Sequence, residues 1–115
     1  MHEVGIANAI LEAGQAEAAR RSGAKLVRIG VRIGILSGVD SDALRFALTA
    51  LKMDTELEEV EFEIQSSPRL NRCLDFGNEF ESLLYSVPCL LCQSERITLA
   101  GGDELDLAYI ELEEA

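Results

Sequence analysis

Hydrophobic residues recur along this chain with two different periods. Over residues 3–22, Val4, Ala7, Leu11 and Ala18 fall at helical spacing, and Ile6 and Ile10 widen the apolar stripe. Glu12, Gln15, Arg20 and Arg21 occupy the other face. This predicts a helix ended by a left-handed cap at Gly23, with Gly14 costing about 1 kcal/mol relative to Ala. Residues 25–36 switch to period two. Val27, Ile29, Val31, Ile33 and Ile35 share one face, while Arg28, Gly30, Arg32 and Gly34 share the other. That is a strand, and its glycines allow another backbone to approach closely.

Ser37-Gly38 reads as a turn, after which Asp40 or Ser41 can cap a second helix running to about Lys52. Its buried stripe is Leu44, Ala47, Leu48 and Leu51. Residues 58–65 alternate Val60, Phe62 and Ile64 with glutamates, and residues 104–113 form a last strand with Leu105, Leu107, Ile110 and Leu112. Between them, residues 69–102 lose clear periodicity. The expected fold is α+β: a small three-stranded sheet covered by two helices, carrying an inserted subdomain. Residues 1–67 and 103–115 would form the main domain, and 68–102 the insertion.

Composition narrows the function. At 115 residues the chain suits one domain, and its 21 Asp and Glu against 10 Lys and Arg give a formal net charge of -11. Nucleic acid and anionic membranes call for basic patches, so neither is an expected partner. No apolar run has transmembrane length, and no basic region precedes an apolar block at the N-terminus. Together these predict a cytoplasmic protein. No nucleophile–base arrangement or phosphate loop stands out, so an enzyme is not expected.

Two places carry candidate metal chemistry. The α-amino group of Met1, the backbone nitrogen of His2 and its imidazole lie close together, and His2 is the sole histidine. Amine, amide and imidazole nitrogens suit tetragonal Ni(II) or Cu(II). The bulk of His2 should also protect Met1 from removal. The competing reading is a solvated histidine on a frayed end. Glu3 could add an oxygen ligand or complement the helix dipole, and Asp40 could cap its helix or lie near the same metal.

The second place is Cys89-Leu90-Leu91-Cys92, preceded by Pro88, with fifteen residues between Cys73 and Cys89. A tetrahedral structural zinc site is usually built from two C-x2-C knuckles. The partner of Cys73 should then be residue 76, which is Phe76. The pattern is a zinc ribbon short of one ligand. Asp75, Glu79, water or a second chain could complete the shell; alternatively Phe76 fills the gap and the site is dead. Cys73 could also be an ordinary buried cysteine. A redox pair is disfavoured by the lack of a strand-knuckle-helix context.

Several segments together resemble one family. Met1-His2-Glu3 opens the chain; Ile35-Leu36-Ser37-Gly38-Val39-Asp40 follows the long strand, then Ala43-Leu44-Arg45-Phe46-Ala47. The cysteine segment, Gly102-Asp103-Glu104-Leu105 and an acidic terminal strand complete the order. This resembles the HypA/HybF family of hydrogenase nickel-incorporation proteins, over essentially the whole chain. The resemblance implies a cytoplasmic nickel metallochaperone for [NiFe]-hydrogenase maturation. Nickel would be held by Met1, His2 and Glu3, and a structural zinc by Cys73, Cys89 and Cys92. It also implies partnership with the nickel GTPase HypB and the hydrogenase large subunit. Phe76 departs from the family's four-cysteine pattern, which leaves open a divergent interaction module that has lost zinc. Either a monomer or a weak dimer is compatible with the residues.

Overall fold

The structure is a computed structural model and describes residues 2–114; Met1, Ala115 and the side chain of His2 lie outside the described residues. Its elements are α1 (His2–Ala19), β1 (Ala24–Gly34), α2 (Ser41–Lys52), β2 (Glu61–Ser67), β3 (Arg69–Cys73), β4 (Glu79–Ser82), β5 (Ile97–Gly101) and β6 (Leu105–Glu114). The strands form two sheets, ordered β2-β1-β6 and β4-β3-β5. The chain divides into two compact units. One comprises Met1–Arg32, Val39–Gln65 and Asp106–Ala115, the other Ile33–Gly38 and Ser66–Leu105. Residues 68–102, expected as an insertion, fall inside the second unit, which also takes in Ile33–Gly38.

In the first unit, α1 buries Ala7, Ile10, Leu11 and Gly14. Gly14 is therefore part of the packed stripe. A Cβ there would lie 2.7 Å from Cδ1 of Ile29, so the helix gives up propensity to sit against β1. Val4, expected on this face, is exposed. Gly23 has φ +82, which permits the reversal into β1. Ile29, Val31 and Ile33 of β1 are buried as the alternation predicts, but Ile35 is exposed because the strand ends at Gly34.

α2 packs on α1 and buries Leu44, Ala47 and Leu48. Lys52 fastens its far end: Nζ donates to the Val60 carbonyl at 2.7 Å and lies over the Phe62 ring. The glycines of β1 serve two contacts. Gly30 lies beneath the Tyr109 ring of β6, within the first unit. Gly34 lies against the Gly102 backbone, within the second, where the Leu36 N–H donates to the Gly102 carbonyl at 2.7 Å.

The second unit contains a sheet that the periodicity did not predict. β3 pairs antiparallel with β4 and with β5, with a register shift between Leu70 and Asn71. Asn71 is fully buried: its amide donates to Ser82 Oγ at 2.9 Å and to the Phe80 carbonyl at 3.3 Å, while its oxygen accepts from Arg69 Nε at 2.8 Å. An α+β chain with two helices on a three-stranded sheet, joined to a small cysteine-bearing β unit, is the observed fold class.

Candidate metal centre

β3 delivers Cys73 into a tight turn. Its N–H donates to the Asn78 carbonyl at 2.9 Å, the Gly77 N–H donates to the Cys73 carbonyl at 2.8 Å, and the Phe76 N–H points to Cys73 Sγ at 3.3 Å. Sixteen residues on, the chain repeats this wiring. The Cys89 N–H donates to the Ser94 carbonyl at 2.9 Å and the Gln93 N–H donates to the Cys89 carbonyl at 2.8 Å, while Cys89 Sγ receives the N–H of Cys92, the counterpart of Phe76, and also that of Leu91 at 3.4 Å. Gly77 and Gln93 occupy the same place in their turns, both at positive φ. The two segments are thus equivalent knuckles, and Phe76 stands where Cys92 stands in the other.

The knuckles bring the Cys73, Cys89 and Cys92 sulfurs within 4.8 Å of one another. Cys73 and Cys89 are buried and Cys92 is exposed. Cys73 and Cys92 sulfurs lie 3.6 Å apart. A tetrahedron with zinc–sulfur bonds of about 2.3 Å has edges of about 3.8 Å, so the spacing suits a shared metal. Burial pushes the Cys89 thiol up, but the N–H groups of Cys92 and Leu91, with the Cys92 and Asn78 side chains, outweigh it and bring it down to about 7. The Ser94 backbone draws the Cys92 thiol down, yet burial and the neighbouring Cys73 and Cys89 sulfurs hold it above its ordinary value. A thiolate is the form that binds metal, so Cys89 is the sulfur readied first.

The surroundings limit what could complete a shell. Asp75 accepts from Ser94 Oγ at 2.5 Å and pairs with Arg96. The Ser94 hydroxyl, helped by Arg96, holds its carboxyl below the usual carboxylate range. Glu79 pairs with Arg72. Phe76 is 62% exposed, so it does not fill the gap by packing. Asn78, which spacing alone did not single out, places Oδ1 3.4 Å from Cys89 Sγ. Its signal in the sequence is the Gly77-Asn78 pair echoing Gln93-Ser94 after each knuckle.

At the other candidate site, Met1 and the His2 side chain lie outside the described residues, while the His2 backbone begins α1. Glu3 Oε2 accepts from the Asp40 N–H at 3.3 Å. Asp40 Oδ1 accepts from the N–H groups of Asp42 at 2.9 Å and Ala43 at 3.2 Å, and so caps α2. The structure therefore brings Glu3 and Asp40 together at the helix entrances. No helix among the described residues is long and apolar enough to cross a membrane.

A two-helix α+β unit and a zinc-ribbon-like β unit whose three gathered thiols could hold a metal ion define the class of protein. The sequence pattern of "Hydrogenase/urease nickel incorporation, metallochaperone, hypA" matches residues 1–112, and the chain belongs to this HypA family, whose members are maturation factors and not enzymes. It is 34% identical over 115 residues to the hydrogenase maturation factor HypA of Shewanella halifaxensis, covering 100% of both chains. Against the HypA of a Synechococcus strain it is 33% identical over 112 residues, 97% of this chain and 99% of that one. Its fold matches the solution structure of the Ni metallochaperone HypA from Helicobacter pylori with a TM-score of 0.66 at 19% identity, over 98% of each chain. A second solution structure, of a HypA protein, matches with a TM-score of 0.74 at 20% identity, over 100% of this chain and 98% of that one.

Proposed function

We propose that this chain carries Ni(II) as cargo on its leading residues and delivers it during [NiFe]-hydrogenase maturation, with the first unit as the nickel-binding part. The observation that carries the reading is that α1 begins at His2. The backbone nitrogen of His2 therefore stands at a helix entrance. That nitrogen, the Met1 amine and the His2 imidazole are donors of the kinds that favour Ni(II). Few protein ligands at an end also permit release, which delivery requires. Glu3 holds α1 to the cap of α2 through the Asp40 N–H, and lending that oxygen to nickel would exchange this hydrogen bond for a metal contact.

Zn(II) is the resident metal of the second unit, held by Cys73, Cys89 and Cys92. When bound, it ties the end of β3 to the 89–92 turn. The client is the hydrogenase large subunit and the helper is the nickel GTPase HypB, in the cytoplasm. Exposed apolar side chains support protein contacts: Phe46 on one unit, Leu83, Tyr85 and Leu90 on the other. The net charge of -11 argues against nucleic acid and anionic membranes. The chain acts as a monomer or weak dimer.

The test is a nickel titration on untagged protein with Met1 verified by mass spectrometry. Near-stoichiometric binding is expected. It should strengthen with pH, because amine and imidazole must lose protons at about 7.7–8.0 and about 6.5. His2→Ala or an N-terminal extension should abolish it. Binding that survives both changes overturns the site. Phe76 favours a second reading, an interaction module without zinc. Elemental analysis of protein purified without chelators decides this, since that reading predicts no zinc and weak nickel.

A further inference from the structure

We propose that the Cys73–Cys89–Cys92 centre leaves one coordination place of its metal to a thiol from outside the chain. This rests on the reading that the three thiolates hold zinc. The equivalence of the two knuckles fixes where the protein's own fourth donor belongs, because Phe76 occupies the place that Cys92 has in the other turn. Phenylalanine offers no donor atom, and its ring is turned out to solvent.

No neighbouring group substitutes for it. Among the described residues the ligand cluster comprises Cys73, Cys89 and Cys92 alone, with no carboxylate in reach. Asp75 is committed to Ser94 and Arg96, and Glu79 to Arg72. The Asn78 amide serves the Cys89 sulfur. Once that sulfur is a thiolate, the amide must turn its NH2 toward it, which takes the carbonyl oxygen away.

The class of incoming donor follows from softness and surroundings. Three thiolates already select a soft-accepting metal, which prefers a fourth sulfur to a carboxylate or phosphate oxygen. Leu74 and Phe76, which follow Cys73, and Leu90 and Leu91, which lie between Cys89 and Cys92, are all exposed. An apolar border of this kind suits a weakly hydrated thiol better than a strongly hydrated anion. The thiol binds as thiolate and its proton leaves to buffer, with no change of oxidation state.

The full chain loaded with Co(II) reports the ligand set through its visible bands. Titrating 2-mercaptoethanol should shift the bands of the wild type saturably, with one equivalent bound. Phe76→Cys should show the shifted spectrum from the start and ignore added thiol, while Phe76→Ala should respond as the wild type does. Gel filtration of the loaded protein separates two sources of the same chemistry. A monomer throughout assigns the place to a free small thiol, since all three cysteines of a second copy are already committed to its own metal; a dimer held together by the metal overturns that assignment.

A wild-type spectrum that ignores thiol, whether or not it matches Phe76→Cys, overturns the proposal while leaving metal binding intact. So does a spectrum altered by Asp75→Asn, Glu79→Gln or Asn78→Ala in the way that ligand loss alters it. Failure to take up Co(II) at the cysteines overturns both this proposal and the zinc reading beneath it.

Discussion

Replacing Gly14 by alanine sets two effects of known size against each other. Alanine in a helix interior is favoured over glycine by about 0.8–1.0 kcal/mol. At this position, however, the new methyl would lie 2.7 Å from Ile29 Cδ1 and 3.3 Å from Cγ1. Carbon atoms in comfortable contact sit at about 3.5–4.0 Å. Ile29 is 0% exposed and cannot retreat into solvent. Forcing a methyl into so tight a place costs about 1–3 kcal/mol. The clash wins, and Gly14→Ala should destabilise the protein by about 0.5–2 kcal/mol.

Ile29→Val removes the offending Cδ1 and should cost about 0.5–1.5 kcal/mol on its own. In that background the 3.3 Å contact to the γ carbon remains, so Gly14→Ala should fall to about neutral, within about 0.5 kcal/mol of zero. Urea denaturation of the four proteins, followed by far-ultraviolet circular dichroism, closes the cycle with a coupling of about 0.5–2 kcal/mol. The reasoning fails if Gly14→Ala stabilises the wild type, or if it costs as much beside valine as beside isoleucine.

Removing the α2 cap with Asp40→Ala should cost about 1 kcal/mol, and Asp40→Ser should recover most of it; thermal melts read both. Asn71→Ala strips the buried link among Arg69, Phe80 and Ser82 and should cost about 2–3 kcal/mol. Hydrogen exchange should show that loss in the second unit, with α1 and α2 protection little changed. Glu63 titrates below its ordinary value chiefly because the Tyr109 hydroxyl donates to it, with Gln65 and Arg28 assisting. A depressed carboxyl contributes stability that is present above its unfolded pKa and is lost as pH falls through the folded one. Tyr109→Phe should therefore raise the Glu63 titration point and weaken this contribution; a carboxyl-detected NMR titration that finds no upward move refutes the assignment.

Where one face of an element is apolar and long, the sequence was easy to read. β1 offered Ile29, Val31 and Ile33 in strict alternation, and α2 offered Leu44, Ala47 and Leu48 behind an Asp cap. The second sheet escaped notice because its inward residues are not the usual ones. β3 buries Asn71 and Cys73, so its pattern reads as polar, and β4 has only four residues. Local sequence shows Gly14 only as a propensity cost, since nothing near it in the chain reveals Ile29 facing it. Glu3 reads from sequence either as a helix-dipole partner or as a metal ligand. The bond it makes spans 37 positions, which no spacing rule could anticipate. At the cysteines, spacing set Phe76 against Cys92, and the two turns share their main-chain hydrogen bonds. Spacing could not say that Asp75 and Glu79 were already engaged with arginines.

Because each knuckle is shaped by its own main-chain hydrogen bonds, its geometry does not depend on what stands at the ligand position. Phenylalanine and cysteine codons differ by a single base. A lineage carrying this fold can thus gain or forfeit the fourth sulfur in one mutational step without rebuilding the loop around it. Metal retention would then drift independently of architecture, and close relatives with the same backbone could differ sharply in how firmly they keep their ion.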